Sequence, residues 1–502
     1  MERSSGILLP VASLPSPYGI GTLGAAAREF VDFLAAAGQS WWQMLPVSPT
    51  SFGDSPYQSP SAFAGNPHLI DLDLLVEDGL LTQAEVDACS WGDDPASVDY
   101  ELLHERRLPL LRKAYLRGWE RDAQKVEAFE RENEEWLPDF ALFMAVKAHF
   151  GLTEWNEWPD EAIRLHEPEA VERYRDQLAD DVRLHTYVQY LFFRQWEALR
   201  SYAHEQGVGI IGDLPIYVSL DSADVWANPS RFQLDEKNVP IEVAGVPPDA
   251  FTDDGQLWGN PLYDYEAMAA DGYGWWIRRI GGVARLFDVI RIDHFRGFES
   301  YWAVPLGETT AKDGRWVKGP GMSLVGTLRD WYPNLSFIAE DLGYATPEVA
   351  QLLADSGFPG MRVLEFAFDS RDAAGSAYLP HAYPRNCVCY IGTHDNAPLM
   401  EWKDETDASD LELAHRYLGI NEDEGLVWGF VRGGMGSVAD LFVAQMQDYL
   451  ELGSEARTNV PGTLGGNWRW RMLEGQATPE LAERIATYTH IYGRSAGHTW
   501  QK

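Results

Sequence analysis

Three acidic residues stand where a fold could readily build chemistry. Asp293 in RIDHFRG, Glu340 in IAEDLG and Asp395 in GTHDN each follow a short β-branched or aromatic run. A buried apolar strand that runs straight into a carboxylate is costly unless the acid is used or paired. A single case reads as the N-cap of the next helix. Here there are three, two of them next to His294 and His394 and one two residues after Arg291. Residues two apart on a strand share a face, so Arg291 and Asp293 are expected to point together into a common mouth. The guanidinium is expected to keep Asp293 ionised and lower its pKa, which suits a nucleophile. Glu340 has no basic neighbour in sequence and follows Phe337–Ala339, so burial is expected to raise its pKa, which suits a proton donor. Two carboxyls pushed apart in this way are the working parts of retaining glycoside cleavage, where they stand roughly 5–5.5 Å apart.

The elements that must position these acids recur along the chain. Short strand-like runs occupy Trp41–Val47, Val208–Val218, Val289–His294, Phe337–Gly343, Met361–Phe368 and Val388–Asn396, with amphipathic helical stretches such as Ala26–Ala37 and Pro347–Ser356 between them. Each run is too short and too β-prone for a buried helix. Strand–helix alternation with nearly continuous apolar strands indicates a parallel sheet covered on both faces. The expected fold class is α/β, a closed (β/α)₈ TIM barrel, which places reactive groups at the C-terminal ends of its strands. An open doubly wound sheet is the alternative, without a G-x-G-x-x-G opening a helix after a strand. Residues 1–502 read as a single catalytic barrel domain. Within it, about 70–200 form a helical insertion and about 219–275 a loop-rich insertion at the barrel mouth, since long structured loops are usually functional.

Composition narrows the ligand. Of 502 residues, 77 are acidic and 40 basic, a net charge of −37, which repels phosphate backbones and anionic lipids and so disfavours nucleic acid and membrane surfaces. It suits a neutral ligand. The 20 Trp include rings able to stack on sugars, although any single one is more often core. Cys89, Cys387 and Cys389 match neither a disulfide framework nor a zinc ribbon, and the N-terminal stretch lacks the apolar core of a secretory signal, so a cytoplasmic setting is expected. No cofactor is expected. His294, His394 and nearby acids lack metal-site spacing, and Asp249–Gly255 lacks the closing Glu of an EF-hand.

The motifs GILLPVASLPSPYGIGTLG, SPYQSPSAFAGNP, GDLPIYV, GVPPDAF, QLWGNPLY, VIRIDHFRGF, AEDLG, MRVLEFAF and GTHDN span nearly the whole chain. In these it resembles glycoside hydrolase family 77, the 4-α-glucanotransferases or amylomaltases. The resemblance implies a retaining transfer of α-1,4-glucan segments between maltooligosaccharides, amylose-type glucans and acceptors such as glucose, by a monomer or weak homo-oligomer. It implies Asp293 as nucleophile, Glu340 as general acid/base and Asp395 as transition-state stabiliser. Arg291, His294, His394, Asp213, Tyr57 and Trp258 become substrate-binding positions, and Gly245–Phe251 an overhanging loop with Asp249 at its tip. Two other readings stay open: an α-amylase-type hydrolase, differing only in its acceptor, and a non-catalytic glucan-binding barrel, whose usual mark is a missing catalytic acid.

Overall fold

Eight short strands carry the site: β1 Ser4–Leu8, β2 Trp41–Gln43, β3 Gly209–Leu214, β4 Val289–Ile292, β5 Ser336–Ala339, β6 Gly360–Val363, β7 Cys387–Tyr390 and β8 Leu441–Gln445. The computed structural model describes residues 2–51, 53–248, 253–343, 346–371 and 376–495. The strands pair in parallel in the order β6-β7-β8-β1-β2-β3-β4-β5. The two end strands meet where the Ala339 N–H donates to the Pro359 carbonyl at 2.9 Å, giving the (β/α)₈ barrel.

Two of the eight strands are absent from the six sequence runs. β1 opens with Ser-Ser-Gly, which has weak strand propensity, and β8 ends in Gln445 rather than an acid. All six runs extend past their strands, as three of them show. The strand at Trp41 stops at Gln43, the one at Met361 turns into a 3-10 helix over Leu364–Ala367, and the one at Val388 stops at Tyr390.

The period-2 alternation of strands sorts the barrel interior. Leu8, Trp41, Ile211, Val289, Ile338, Val363, Val388 and Val443 belong to one sealed inner cluster. Two residues further along, toward the C-terminal ends, the same inward face carries Gln43, Asp213, Arg291, Glu340 and Gln445. An apolar plug thus supports a polar layer at the mouth, the usual arrangement in such barrels. Cys387 and Cys389 face the other way, into the larger cluster shared with the helices.

Outside the barrel, the 27-residue helix Ala179–Glu205 holds the segment that carries Tyr57. Its buried Gln189 accepts from the Gly65 N–H at 2.7 Å and donates to the Gly65 carbonyl at 2.9 Å. Gln195 treats the Asp71 backbone in the same way. Gly65 must be glycine for this approach, because a Cβ there would lie 1.9 Å from the Phe192 ring. Buried Arg279 bonds the carbonyls of Pro215, Ile216 and Tyr217, fixing the loop that leaves β3.

A second, four-stranded antiparallel sheet lies in the order Gln256–Pro261, Glu242–Val246, Ser300–Pro305, Arg315–Lys318. Two of its strands come from the stretch read as loop-rich. Glycine and proline hide them in the sequence, and pairing with Ser300–Pro305 forms them. No described helix is long and apolar enough to cross a membrane.

Candidate active site

The polar layer is organised around one buried cation. Arg291 Nη1 donates to both oxygens of Asp213, at 2.8 and 2.6 Å, and reaches Asp293 Oδ1 at 3.2 Å. The Arg291 and Asp213 side chains are essentially sealed, whereas 27% of the Asp293 side chain stays open to the groove. Breaking such a buried pair on one side costs roughly 3–5 kcal/mol, because the other charge is stranded.

Asp293 directly follows Ile292, and Glu340 directly follows Ala339. These two strand residues are register partners of β4 and β5, so the next step along the ladder sets Asp293 beside Glu340. His294 then enters the left-handed region at φ 50°, which is uncommon for a residue with a Cβ. This turn aims the His294 N–H at Glu340 Oε2, 2.8 Å away, while the Leu342 N–H donates to Oε1 at 2.7 Å. Glu340 is therefore fixed by backbone donors and Asp293 by a guanidinium.

The electrostatics differ from the sequence expectation at one point. Arg291 does not hold Asp293 below the ordinary aspartate range. Burial pushes Asp293 well above it, Arg291 opposes, and the neighbouring carboxylates of Asp213, Glu340 and Asp395 add to the rise. The reason is geometric: the nearest partner of Arg291 is Asp213, so its charge is already matched. Glu340 is raised as expected, to about 7, by burial working against Arg291 and the two backbone N–H groups. The two carboxyls interact and titrate as a pair.

Asp395 lies five residues past β7, in a turn where the Thr393 N–H and hydroxyl both donate to Asn396 Oδ1 at 2.9 and 2.8 Å. Its Oδ1 accepts from Asn459 Nδ2 at 2.7 Å, and its Oδ2 lies 3.4 Å from His394 Nε2. Burial lowers the pKa of His394, and burial takes His294 down to about 3, so both rings are neutral in neutral solution.

Tyr57 ties the two sides of the groove together. Its hydroxyl stays protonated, because burial raises its pKa far above the usual value. It donates to Asp213 Oδ2 at 2.9 Å, since a carboxylate only accepts. The 2.8 Å contact with His394 then requires His394 to donate from Nε2, which assigns the tautomer. The Tyr57 and His394 rings stack at 5.4 Å, and Trp258 sets its edge against His294 at 4.8 Å.

The structure thus gathers Tyr57, Asp213, Trp258, Arg291, Asp293, His294, Glu340, His394 and Asp395 around one groove. Asp249, with Ala250 and Phe251, lies outside the described residues. Two further groups join the site without a strand-and-acid signature: Asn459, and Trp468, whose ring lies 5.8 Å from Tyr57 and 6.1 Å from His394. Both sit in the loops after β8, where the aromatic cluster NWRW was the available signal.

Comparison with known proteins bears on this arrangement. The family model of glycoside hydrolase family 77, described as 4-alpha-glucanotransferase, matches residues 9–476. The 4-alpha-glucanotransferase of Streptococcus pneumoniae serotype 4 is 48% identical over 495 residues, covering 98% of each chain. That of Thermus thermophilus is 46% identical over 497 residues, covering 97% of this chain and 98% of the relative. Among solved structures, the amylomaltase from Streptococcus agalactiae in complex with acarbose superposes with a TM-score of 0.95 at 43% identity, over 98% of this chain and all of that one.

Proposed function

The chain belongs to the 4-alpha-glucanotransferase family, retaining enzymes that transfer segments of α-1,4-glucans, and from that premise we propose how its own residues divide the work. Asp293 is the nucleophile, Glu340 the general acid/base and Asp395 the stabiliser of the oxocarbenium-like transition state. The observation that carries this reading is the register of β4 and β5, which sets Asp293 and Glu340 at the ends of adjacent strands. Adjacent strands lie about 4.8 Å apart, a spacing compatible with the roughly 5–5.5 Å between the carboxyls of a retaining pair.

In the first half-reaction, protonated Glu340 gives its proton to the glycosidic oxygen as Asp293 attacks the anomeric carbon, and the shortened chain departs. In the second, Glu340 takes the proton from an acceptor hydroxyl, that oxygen attacks the anomeric carbon, and Asp293 leaves as a carboxylate. Asp395, open to the groove and oriented by Asn459, faces the positive charge that develops in both transition states. Asp213 and Arg291 form a rigid floor, and Tyr57 and His394 present hydroxyl and imidazole groups to sugar hydroxyls.

The acceptor is a maltooligosaccharide or glucose, bound on the Trp258 side. Transfer outruns hydrolysis when the acceptor is held in near-attack geometry and water is screened. Trp258 and the loop Gly245–Phe251 are the candidates for that screen. The testing experiment is incubation with maltotriose alone, resolving products by chain length. Glucose together with maltopentaose and longer chains supports transfer; glucose and maltose alone, without longer chains, would make the chain a hydrolase.

A further inference from the structure

A cavity outside the groove opens among the described residues. It measures about 300 Å³ and lies between the helix Gly274–Leu286, the helix Leu137–His149 with the turn before it, and the segment Ser61–Phe63. That volume is at the lower end of the range for small-molecule pockets, about 300–1,000 Å³. Its walls include the half-buried rings of Phe63, Trp136 and Tyr332. Phe63 and Trp136 lie nearly parallel, at 13° and 6.1 Å.

Charges at the pocket are of both signs. Glu135 stands 4.0 Å from Arg278 and Glu132 3.7 Å from Arg285. Buried Asp224 lies deeper and accepts the Ala62 N–H at 2.8 Å. A strongly charged ligand would meet a like charge here, whereas a neutral polyhydroxyl ligand meets donors and acceptors around apolar rings. Two consecutive glycines in the helix interior, Gly281 and Gly282, reinforce the shape. Each costs about 1 kcal/mol relative to alanine in a helix. A Cβ at Gly281 would sit 2.7 Å from the Tyr332 hydroxyl, and one at Gly282 would sit 2.9 Å from the Phe63 ring. Bare backbone at these positions lets both rings close over the helix and face the cavity.

We infer that this cavity is a second carbohydrate site, which binds a terminal glucose or maltose unit of an α-1,4-glucan apart from the transfer groove. The choice of ligand rests on the glucan activity above; the pocket does not. A smaller cavity shares Ser61 with it and is lined by Tyr57 and Asp213, so the wall of the second site and the wall of the groove belong to one segment, Ser55–Gly65. Sugar held against Phe63 braces that segment from behind.

The test uses the full chain carrying Glu340→Gln, which suppresses turnover, and titrates maltose by calorimetry. The expected isotherm has two binding events. Adding Arg278→Ala, or separately Trp136→Ala, is expected to weaken one event at least tenfold and leave the other within about twofold. Melting temperature reports folding, and the rim change Arg278→Ala keeps the test decisive should the loss of Trp136 disturb packing. A single event in the parent that neither variant weakens, or two events that both variants leave unchanged, would overturn the second site. Loss of the groove event in the parent would instead count against the proposed function.

Discussion

Two groups of acids lie on the C-terminal side of the barrel, and only one of them is built to react. In the first, Asp213, Asp293 and Glu340 surround Arg291, and Asp293 opens to the groove. In the second, Glu365, Glu401 and Asp448 lie behind the Asp395 turn with Arg457. Glu365 is 7% exposed and Asp448 fully buried, and Glu365 Oε1 lies so close to Gly392 that a Cβ there would be 2.8 Å away. Burial raises both pairs of acids. Asp448 goes to about 7 and Glu365 well above its ordinary value, as Glu340 and Asp293 do. A perturbed carboxyl therefore does not identify a catalytic one. The difference lies in access and partners. Arg291 is shared between two acids of the reacting layer, whereas Arg457 pairs with Glu401 at 3.1 Å and burial favours the protonated forms of Glu365 and Asp448. The second group is scaffold: two residues past Arg457, Asn459 reaches over to orient Asp395.

Substitutions sharpen this contrast. The largest effect is expected for Asp293→Asn, a loss of roughly 10⁴-fold or more in kcat, since an amide cannot attack the anomeric carbon. Glu340→Gln is expected to lose about 10²–10⁴-fold while still binding glucan. Steady-state transfer rates and maltotriose affinity, measured on the same preparations, check both. Near-normal turnover in either variant would erase the distinction between the two groups.

Asp213→Asn takes from Arg291 the closer of its two carboxylate partners in a sealed site. It is expected to lower the melting temperature and to cost on the order of 3–5 kcal/mol of stability, read by denaturant unfolding. The reacting pair also predicts a bell-shaped pH profile of kcat/KM. Glu340 must be protonated, so the rate falls as pH rises through about 7, and Asp293 must be ionised, so it falls again on the acid side. A profile flat through pH 7 would remove Glu340 as the acid.

Asp448→Asn is expected to leave transfer within about twofold and to change stability instead. Between pH 4 and 7 the unfolded chain releases a proton that folded Asp448 keeps, so this residue's stabilising contribution is present below its unfolded value and lost as pH rises toward about 7. The variant should lack that part of the slope and be more stable than the parent at neutral pH, by up to a few kcal/mol. The smallest effect is expected for Trp258→Ala: a modest rise in the ratio of hydrolysis to transfer, read as free reducing ends against transfer products. An unchanged ratio would remove Trp258 from the water screen.

The sequence shows the reacting group far better than the scaffold group. Asp293 and Glu340 each end an apolar run, and the alternation within those runs places Arg291 on the same face as Asp293. Glu365 and Asp448 follow strands too, but Glu365 sits inside LEFAF and Asp448 inside MQDY, where the pattern reads as ordinary turn and helix. The position of Asp213 is also legible, two residues past Ile211 on an inward face. What sequence order cannot convey is how Arg291 divides between Asp213 and Asp293. That division depends on β3 lying next to β4, a contact between residues 78 positions apart, and it reverses the expected direction of the Asp293 pKa. Asn459 and Trp468 escape for a similar reason, since loops after the last strand reach the site only once the barrel closes.

The most direct test of the account is capture of the covalent intermediate. Fluoride leaves without help from an acid, so the Glu340→Gln variant given an α-glucosyl fluoride should still be attacked by its nucleophile but lack the base for the second step. Mass spectrometry of the digested protein is expected to show a glucosyl adduct on the peptide bearing Asp293. An adduct on another carboxylate, or transfer products formed with inverted configuration and no adduct at all, would contradict the assignment of Asp293.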